Sequence, residues 1–171
     1  MINYRKCKIP VEDIEMIKLV YEKGEENCGD DPNNEYNKRF IKKNYNSKLV
    51  SSKTFFCDLN NTELMDIVKK HIPVAKDEYI ANVHYINYRI GEKANPHVDT
   101  GASIKTFIIL LTNNFEGGEF YLTKKHVPFE MGEIFEFDAK LLHEVKEITE
   151  GNREVLVVCL KWNNKNKKSL V

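Results

Sequence analysis

The hydrophobic positions along the chain change their period near residue 79. Before that point they recur at helical spacing in two places. The run VEDIEMIKLVYEKG after Pro10 sets Ile14, Ile17 and Tyr21 on one face; Pro10 suits a first helical turn and Gly24 is a natural stop. A second helix is predicted from about Thr62 to Lys70. Asn60 or Asn61 caps it, Leu64, Ile67 and Val68 form its apolar face, and Pro73 bars continuation. Residues 24–54 between them are rich in Asn, Lys, Glu and Asp, with Tyr36, Phe40 and Tyr45 interspersed. They read equally as a long surface loop or as a loop holding a short helix.

From residue 79 the segments YIANVHYINYRI, SIKTFIILLT, GEFYLT, GEIFEF, LLHEVKEI and REVLVVCLKW are short and rich in β-branched and aromatic residues. Turn signals separate them: IGEKANP, NNFEGG, FDAK and TEGN. Six or more strands at this spacing predict a sandwich or barrel. FIILL and VLVVCL are apolar on both faces, so the sheet that holds them needs cover on its second face. The two N-terminal helices are the available cover. The expected fold is therefore mainly β with supporting helices, a double-layered sandwich with the helices outside one sheet. A single domain, 1–171, is expected, helical over about 1–75, with a β core over about 79–163 and a solvated basic tail over 164–171.

Composition fits that frame. At 171 residues and 42% hydrophobic, the chain supports one core and not two. Lys+Arg and Asp+Glu are 26 each, so no bulk charge draws the chain to nucleic acid or to an anionic membrane surface. No apolar run is long enough to span a bilayer and the first residues have no secretory h-region; a cytoplasmic location is expected. Cys7, Cys28, Cys57 and Cys159 are scattered without a CxxC pair, and are expected to be free thiols.

Candidate chemistry begins at His97-Val98-Asp99. On an extended segment residues i and i+2 share a side, and Pro96 favours extension of the residue before it. Alone, the pair reads equally as a hydrogen bond at a strand end. His143, in the strand-like LLHEV, changes this. Two imidazoles and a carboxylate from distant segments form the facial triad of non-haem Fe(II) sites, although a zinc site could use the same donors. Arg153 stands ten residues after His143 and shares a face of its strand with Val155, Val157 and Cys159. If that face is the core, a guanidinium projects into an apolar interior and needs an anionic partner, which a dicarboxylate would supply in bidentate form. The chain has four Arg against twenty-two Lys, so the choice of Arg is selective. His71, His84 and His126 lack partner spacing and read as surface or satisfied core residues; Gly117-Gly118 reads as turn chemistry.

Together, His97-x-Asp99, His143 and Arg153 resemble the HxD…H…R/K pattern of Fe(II)/2-oxoglutarate-dependent oxygenases. Tyr88-Arg-Ile-Gly91, Pro96, Thr106 and Glu116-Gly117-Gly118-Glu119 are similar to its prolyl and lysyl hydroxylase branch. The resemblance covers roughly residues 79–162 and implies a double-stranded β-helix, the cupin-like jelly-roll. It also implies Fe(II) on His97, Asp99 and His143, and 2-oxoglutarate chelating the metal with its distal carboxylate on Arg153. Tyr88 and Thr106 would lie near the cosubstrate, O2 would be the oxidant, and ascorbate an optional addition. The implied reaction hydroxylates a prolyl or lysyl side chain of a polypeptide, with succinate and CO2 released. A free amino acid or other small molecule is the alternative substrate, and a non-catalytic metal-containing β-sandwich binding module the alternative class; nucleic acid and membrane are not expected partners. Two positions depart from the branch: Ala94 and Leu110 stand where relatives carry tyrosines.

Overall fold

In the computed structural model, residues 5–27, 40–46, 50–99, 103–128 and 130–163 are described. Two helices are present among them, α1 (Val11–Asn27) and α2 (Thr62–His71). Asn61 caps α2 by accepting a hydrogen bond from the Leu64 N–H. Helix α1 runs through Gly24 to Asn27, past the expected stop.

The strands are β1 (Arg5–Lys8), β2 (Phe40–Asn46), β3 (Val50–Cys57), β4 (Glu78–Tyr88), β5 (Lys93–His97), β6 (Lys105–Leu110), β7 (Phe115–Gly117), β8 (Phe120–Leu122), β9 (Lys125–His126), β10 (Glu133–Asp138), β11 (His143–Val145), β12 (Ile148–Gly151) and β13 (Arg153–Trp162). Ten of them form one curled path, β1-β10-β6-β13-β4-β3-β5-β11-β8-β9, with β2 added on β3; β7 and β12 pair separately. The turn at β3, which pairs with both β4 and β5, folds the path into a large layer and a small one. This is the double-layered arrangement expected from the strand pattern, with helices on one sheet, and it has the form of the double-stranded β-helix that the resemblance implies.

The expectation of a helical N-terminal part needs correction. Strands β1, β2 and β3 lie within it, and residues 40–46 and 50–54 are a hairpin rather than a loop or helix. Three predicted turns also carry strands: IGEKANP holds most of β5, while NNFEGG and TEGN contribute β7 and most of β12. Five strands, β6 to β10, separate Asp99 from His143. Residues 28–39 and the basic tail 164–171 lie outside the described residues, as does Cys28. Cys7, Cys57 and Cys159 are free thiols.

Alternation along the large layer separates two cores. Phe55, Val83, Tyr85, Phe107, Ile109, Leu156 and Val158 face the helices and meet Ile14, Ile17, Leu64 and Val68. Tyr88, Ile108, Leu110, Phe135, Phe137, Val155 and Val157 face inward and meet Ala94, Phe120, Leu122 and Val145 of the small layer. The helices are tied together by Asp13, which accepts from Lys70 Nζ at 2.9 Å and lies 2.5 Å from His71 Nε2. Among the described residues, no helix is long and apolar enough to cross a membrane.

Leu156 is 1% exposed between sheet and helices, whereas Leu59 is 37% exposed. Leu156→Ala is expected to lose about 2–5 kcal/mol of stability and Leu59→Ala less than about 0.5 kcal/mol in urea denaturation. Hydrogen bonds from His71 and Lys70 hold the Asp13 carboxyl below its ordinary 3.8. A lowered carboxylate stabilises the fold above its unfolded pKa and loses that contribution as pH falls through the folded value. The stability difference between wild type and Asp13→Asn should therefore shrink as pH is lowered below about 4, read from urea midpoints across that range.

Candidate metal centre

Strand pairing brings the two histidines together. His97 ends β5 and His143 opens β11, and in the antiparallel ladder they are direct partners. Their ring centroids lie 4.3 Å apart. Asp99 follows β5, where its backbone N–H donates to the Ala139 carbonyl at 3.0 Å. One ligand atom each from His97, Asp99 and His143 lies within 4.8 Å of the others, with His143 Nε2 at 3.6 Å from Asp99 Oδ1.

Both rings are held in one tautomer. His97 Nδ1 donates to the Asn95 carbonyl at 2.7 Å and His143 Nδ1 to the Leu141 carbonyl at 2.9 Å. A carbonyl only accepts, so Nδ1 carries the proton in each ring and Nε2 keeps its lone pair. The His143 ring is further packed by Phe137 at 4.9 Å and Phe120 at 6.1 Å between centroids. Burial lowers the His143 pKa, and His97 adds to the effect; the Leu141 carbonyl and Asp99 oppose it. The Thr106 hydroxyl donates to Asp99 Oδ2, fixing one carboxylate oxygen. Two imidazole lone pairs and one oriented carboxylate suit a divalent transition metal and leave a face open for other ligands.

Arg153 opens β13 on its inward face, opposite Tyr88 of β4, and is 1% exposed. Its guanidinium carbon lies 5.8 Å from the Tyr88 ring centroid. Burial pushes its pKa down to about 10, with Tyr88 acting in the opposite direction, and burial pushes the Tyr88 phenol up to about 12. Gly117 and Gly118 adopt positive φ, +71° and +65°, in keeping with turn chemistry. Gly118 has a second role: a Cβ there would stand 2.9 Å from Arg153 Cδ and 2.4 Å from Ile148 Cδ1. The absence of a side chain makes room for the arginine.

The comparisons with known proteins come to bear on this geometry. The family model described as aspartyl/asparaginyl beta-hydroxylase matches residues 35–162, well over half of the chain. The chain belongs to that family. It is 31% identical over 97 residues to a PKHD-type hydroxylase of Prochlorococcus marinus (strain MIT 9515), covering 53% of this chain and 41% of the relative. The chain spans 36–51% of the length of the curated relatives it matches. Its fold is that of a viral collagen prolyl hydroxylase from Paramecium Bursaria Chlorella virus-1, with TM-score 0.68, 16% identity and coverage of 92% and 94% of the two chains. A Pseudomonas putida prolyl-4-hydroxylase superposes with TM-score 0.67 at 10% identity over 95% and 94%. The resemblance carried by His97, Asp99, His143 and Arg153 is thus borne out at the level of family and fold.

Two interior residues, His84 and Cys159, had no site role from the sequence. His84 is not a satisfied core residue: it stands on the inward face of β4, and its Nδ1 has no hydrogen-bond partner among the described residues. Cys159, on the inward face of β13, lies with its Sγ 3.6 Å from His84 Nε2. The two-residue period that joins His84 to Ile86 and Tyr88 was the available signal. His71 is satisfied by Asp13, and His126 is exposed beside Tyr121.

Gly118→Ala tests the packing around Arg153. Overpacking together with a positive φ should cost about 1–3 kcal/mol, seen as a lower urea midpoint. An unchanged midpoint would mean that Arg153 and Ile148 yield freely.

Proposed function

We propose that this chain is an Fe(II)- and 2-oxoglutarate-dependent dioxygenase that hydroxylates a side chain of a polypeptide. The observation that carries the reading is the triad itself: three ligand atoms within 4.8 Å, with both imidazole Nδ1 groups tied to carbonyls so that Nε2 is available. His97, Asp99 and His143 would hold the metal. Arg153 would grip the distal carboxylate of the 2-oxo acid, and Tyr88 would pack beside it. When bound, iron and the 2-oxo acid would supply the activation of O2 for C–H hydroxylation, with succinate and CO2 released.

The rest falls to the protein. Phe137 and Phe120 exclude water from one side of His143, and Thr106 holds Asp99 in a single orientation. Arg153 is an anion receptor already stripped of water, so a carboxylate reaching it meets a strong donor fork in a low-dielectric wall. A purely structural metal site has no use for such an arginine, which weighs against a non-catalytic binding module. The family description favours aspartyl or asparaginyl side chains, while the solved relatives named as prolyl hydroxylases favour prolyl; both belong to polypeptides.

The test begins with binding. Mn(II)-loaded protein should bind 2-oxoglutarate and be stabilised by about 2.7 kcal/mol at ~100 times the dissociation constant, with little effect on metal-free protein. Arg153→Ala should weaken that binding by about 2–5 kcal/mol, with metal affinity little changed. Arg153→Lys should recover part of the loss, because an ammonium pairs with the carboxylate without forking. Turnover follows: succinate release under air with Fe(II), and a +16 mass shift on a panel of Asp-, Asn-, Pro- and Lys-containing peptides. His143→Ala should abolish both. Equal 2-oxoglutarate binding by wild type and Arg153→Ala would remove the cosubstrate assignment.

A further inference from the structure

The row of side chains that carries the two histidines continues across the small layer to its open edge. His97 pairs with His143, His143 with Leu122, and Leu122 with Lys125, through β5, β11, β8 and β9 in turn. Direct cross-strand partners share a face of the sheet, so Lys125 stands on the face that presents the two imidazoles. The two-residue period agrees, because Val127, two residues on, belongs to the interior cluster. Leu122 is buried, whereas Lys125 is exposed on β9, the last strand of the path among the described residues. At ~4.8 Å between strands, Lys125 stands roughly 10 Å from His143 along the row.

The turn that sets Lys125 there is strained. Leu122 and Lys125 close a two-residue hairpin whose central residues, Thr123 and Lys124, have φ of +50° and +67°. Such a turn takes asparagine and glycine at low cost, and a β-branched threonine at positive φ is an outlier. Among the described residues these two are the only non-glycine positions with positive φ. The Thr123 N–H donates to the Leu142 carbonyl at 2.7 Å, which anchors the tip against the residue before His143. Strain of this kind is characteristic of ligand clamps and active sites. What the strained turn presents is charge. Two other lysines beside this layer are spent on carboxylates, Lys146 on Glu144 at 2.9 Å and Lys93 on Glu147 at 3.2 Å. Lys124 and Lys125 have no carboxylate partner among the described residues, and in the loop before Leu142 the exposed Asp138 and Lys140 cancel.

We infer that Lys125, with Lys124 beside it, recognises an aspartate or glutamate side chain of the polypeptide substrate, so that the substrate class is an acidic polypeptide. The inference rests on the oxygenase reading above. A substrate extended along the row at ~3.3 Å per residue places that carboxylate about three residues from the hydroxylated one. An ammonium on a flexible stem pairs as a point charge, so aspartate and glutamate are both accepted. The role is distinct from those of His97, Asp99, His143 and Arg153: the two lysines meet the flank of the substrate and bind neither the metal nor the 2-oxo acid.

The experiment measures peptide binding. Mn(II)-loaded protein, saturated with 2-oxoglutarate and kept free of O2, is titrated with acetylated, amidated peptides in an alanine background. Each carries Asp, Asn, Pro or Lys at its centre and Glu, Gln or Lys about three residues to one side, scanned one position each way. The glutamate peptides should bind wild type about fivefold more tightly than the glutamine peptides at low salt, and the gap should narrow at high salt. Lys125→Glu should reverse the order, so that the lysine peptides bind best, and Lys125→Arg should keep it. Lys69→Glu, on the exposed side of α2, makes the same change in net charge and should leave the order as it is. Lys124→Gly should raise the urea midpoint, because glycine is unstrained at a φ of +67°, and weaken the glutamate peptides. Equal binding of glutamate and glutamine peptides by wild type overturns the inference. So does an order that Lys125→Glu leaves unchanged, or wild type that binds 2-oxoglutarate but no peptide. Loss of 2-oxoglutarate binding in Lys125→Ala overturns it too, since Lys125 would then anchor the cosubstrate. Failure of wild-type metal-loaded protein to bind 2-oxoglutarate in the first step would instead count against the oxygenase reading.

Discussion

The two-sided burial of β13 is the constraint on which the rest depends. The strand is paired along both edges, with β4 and with β6, so its backbone hydrogen bonds are spent in the sheet and only its faces remain to be satisfied. One face, Leu156, Val158 and Leu160, meets the helices; the other, Arg153, Val155, Val157 and Cys159, meets the barrel interior. A slip of one residue would exchange the faces. It would carry Arg153 to the helix side and bring Glu154 inside, where a carboxylate would repel the anion that the proposed function requires. The native register is reinforced from outside, because Glu154 Oε2 reaches Lys18 of α1 at 3.2 Å. Helix packing, remote from the metal centre, thus helps decide which charge the interior presents.

The parts of the fold legible in the sequence are those buried on both sides. β6 and β13 announce themselves as continuous apolar runs, and the need to cover their second face correctly assigns the two helices to one sheet. What escaped notice lies at edges. Among the described residues, β2 (FIKKNYN) pairs only with β3 and β1 (RKCK) only with β10. An edge strand gains little from an apolar pattern and is protected from mispairing by charge, so lysines and asparagines hide it from a reading based on periodicity. β5, β7 and β12 are three to five residues long, and glycine or proline lies in each, the same residues that mark turns. Their pairing comes from contacts far away in sequence, to which a local pattern is blind.

The candidate site was more legible than the strands that carry it. His97, Asp99 and His143 stand out because coordination chemistry restricts residue type, even though β5 and β11 were misread in extent. Arg153 stands out because period 2 sets a charge in an apolar row. Lys125 did not, since a lysine beside another lysine is ordinary until its row in the sheet is traced. A row is a property of three dimensions: His97, His143, Leu122 and Lys125 come from four strands, and only the register of β5, β11, β8 and β9 lines them up.

Polar groups inside this barrel follow a common economy. An inward row of Val155, Val157 and Ile108 could have continued at Arg153, Cys159 and Thr106 with aliphatic residues, at a gain in stability. Instead each polar residue is placed where a ligand or a neighbour can answer it. Arg153 sits under the space left by Gly118, Thr106 is spent on Asp99, and the two metal-facing imidazoles are tied back through Nδ1. Preorganisation of this kind moves the cost of orienting donors from the binding event to folding, where the large hydrophobic cores on both faces of the sheet can bear it. The same logic separates the two ends of β13. At ~3.3 Å per residue, Arg153 and Cys159 stand roughly 20 Å apart along the strand. The buried guanidinium and the polar side chain that reaches Asp99 are thereby held at opposite ends of one rigid element, and under the proposed function a carboxylate anchored at the first end would leave the second free.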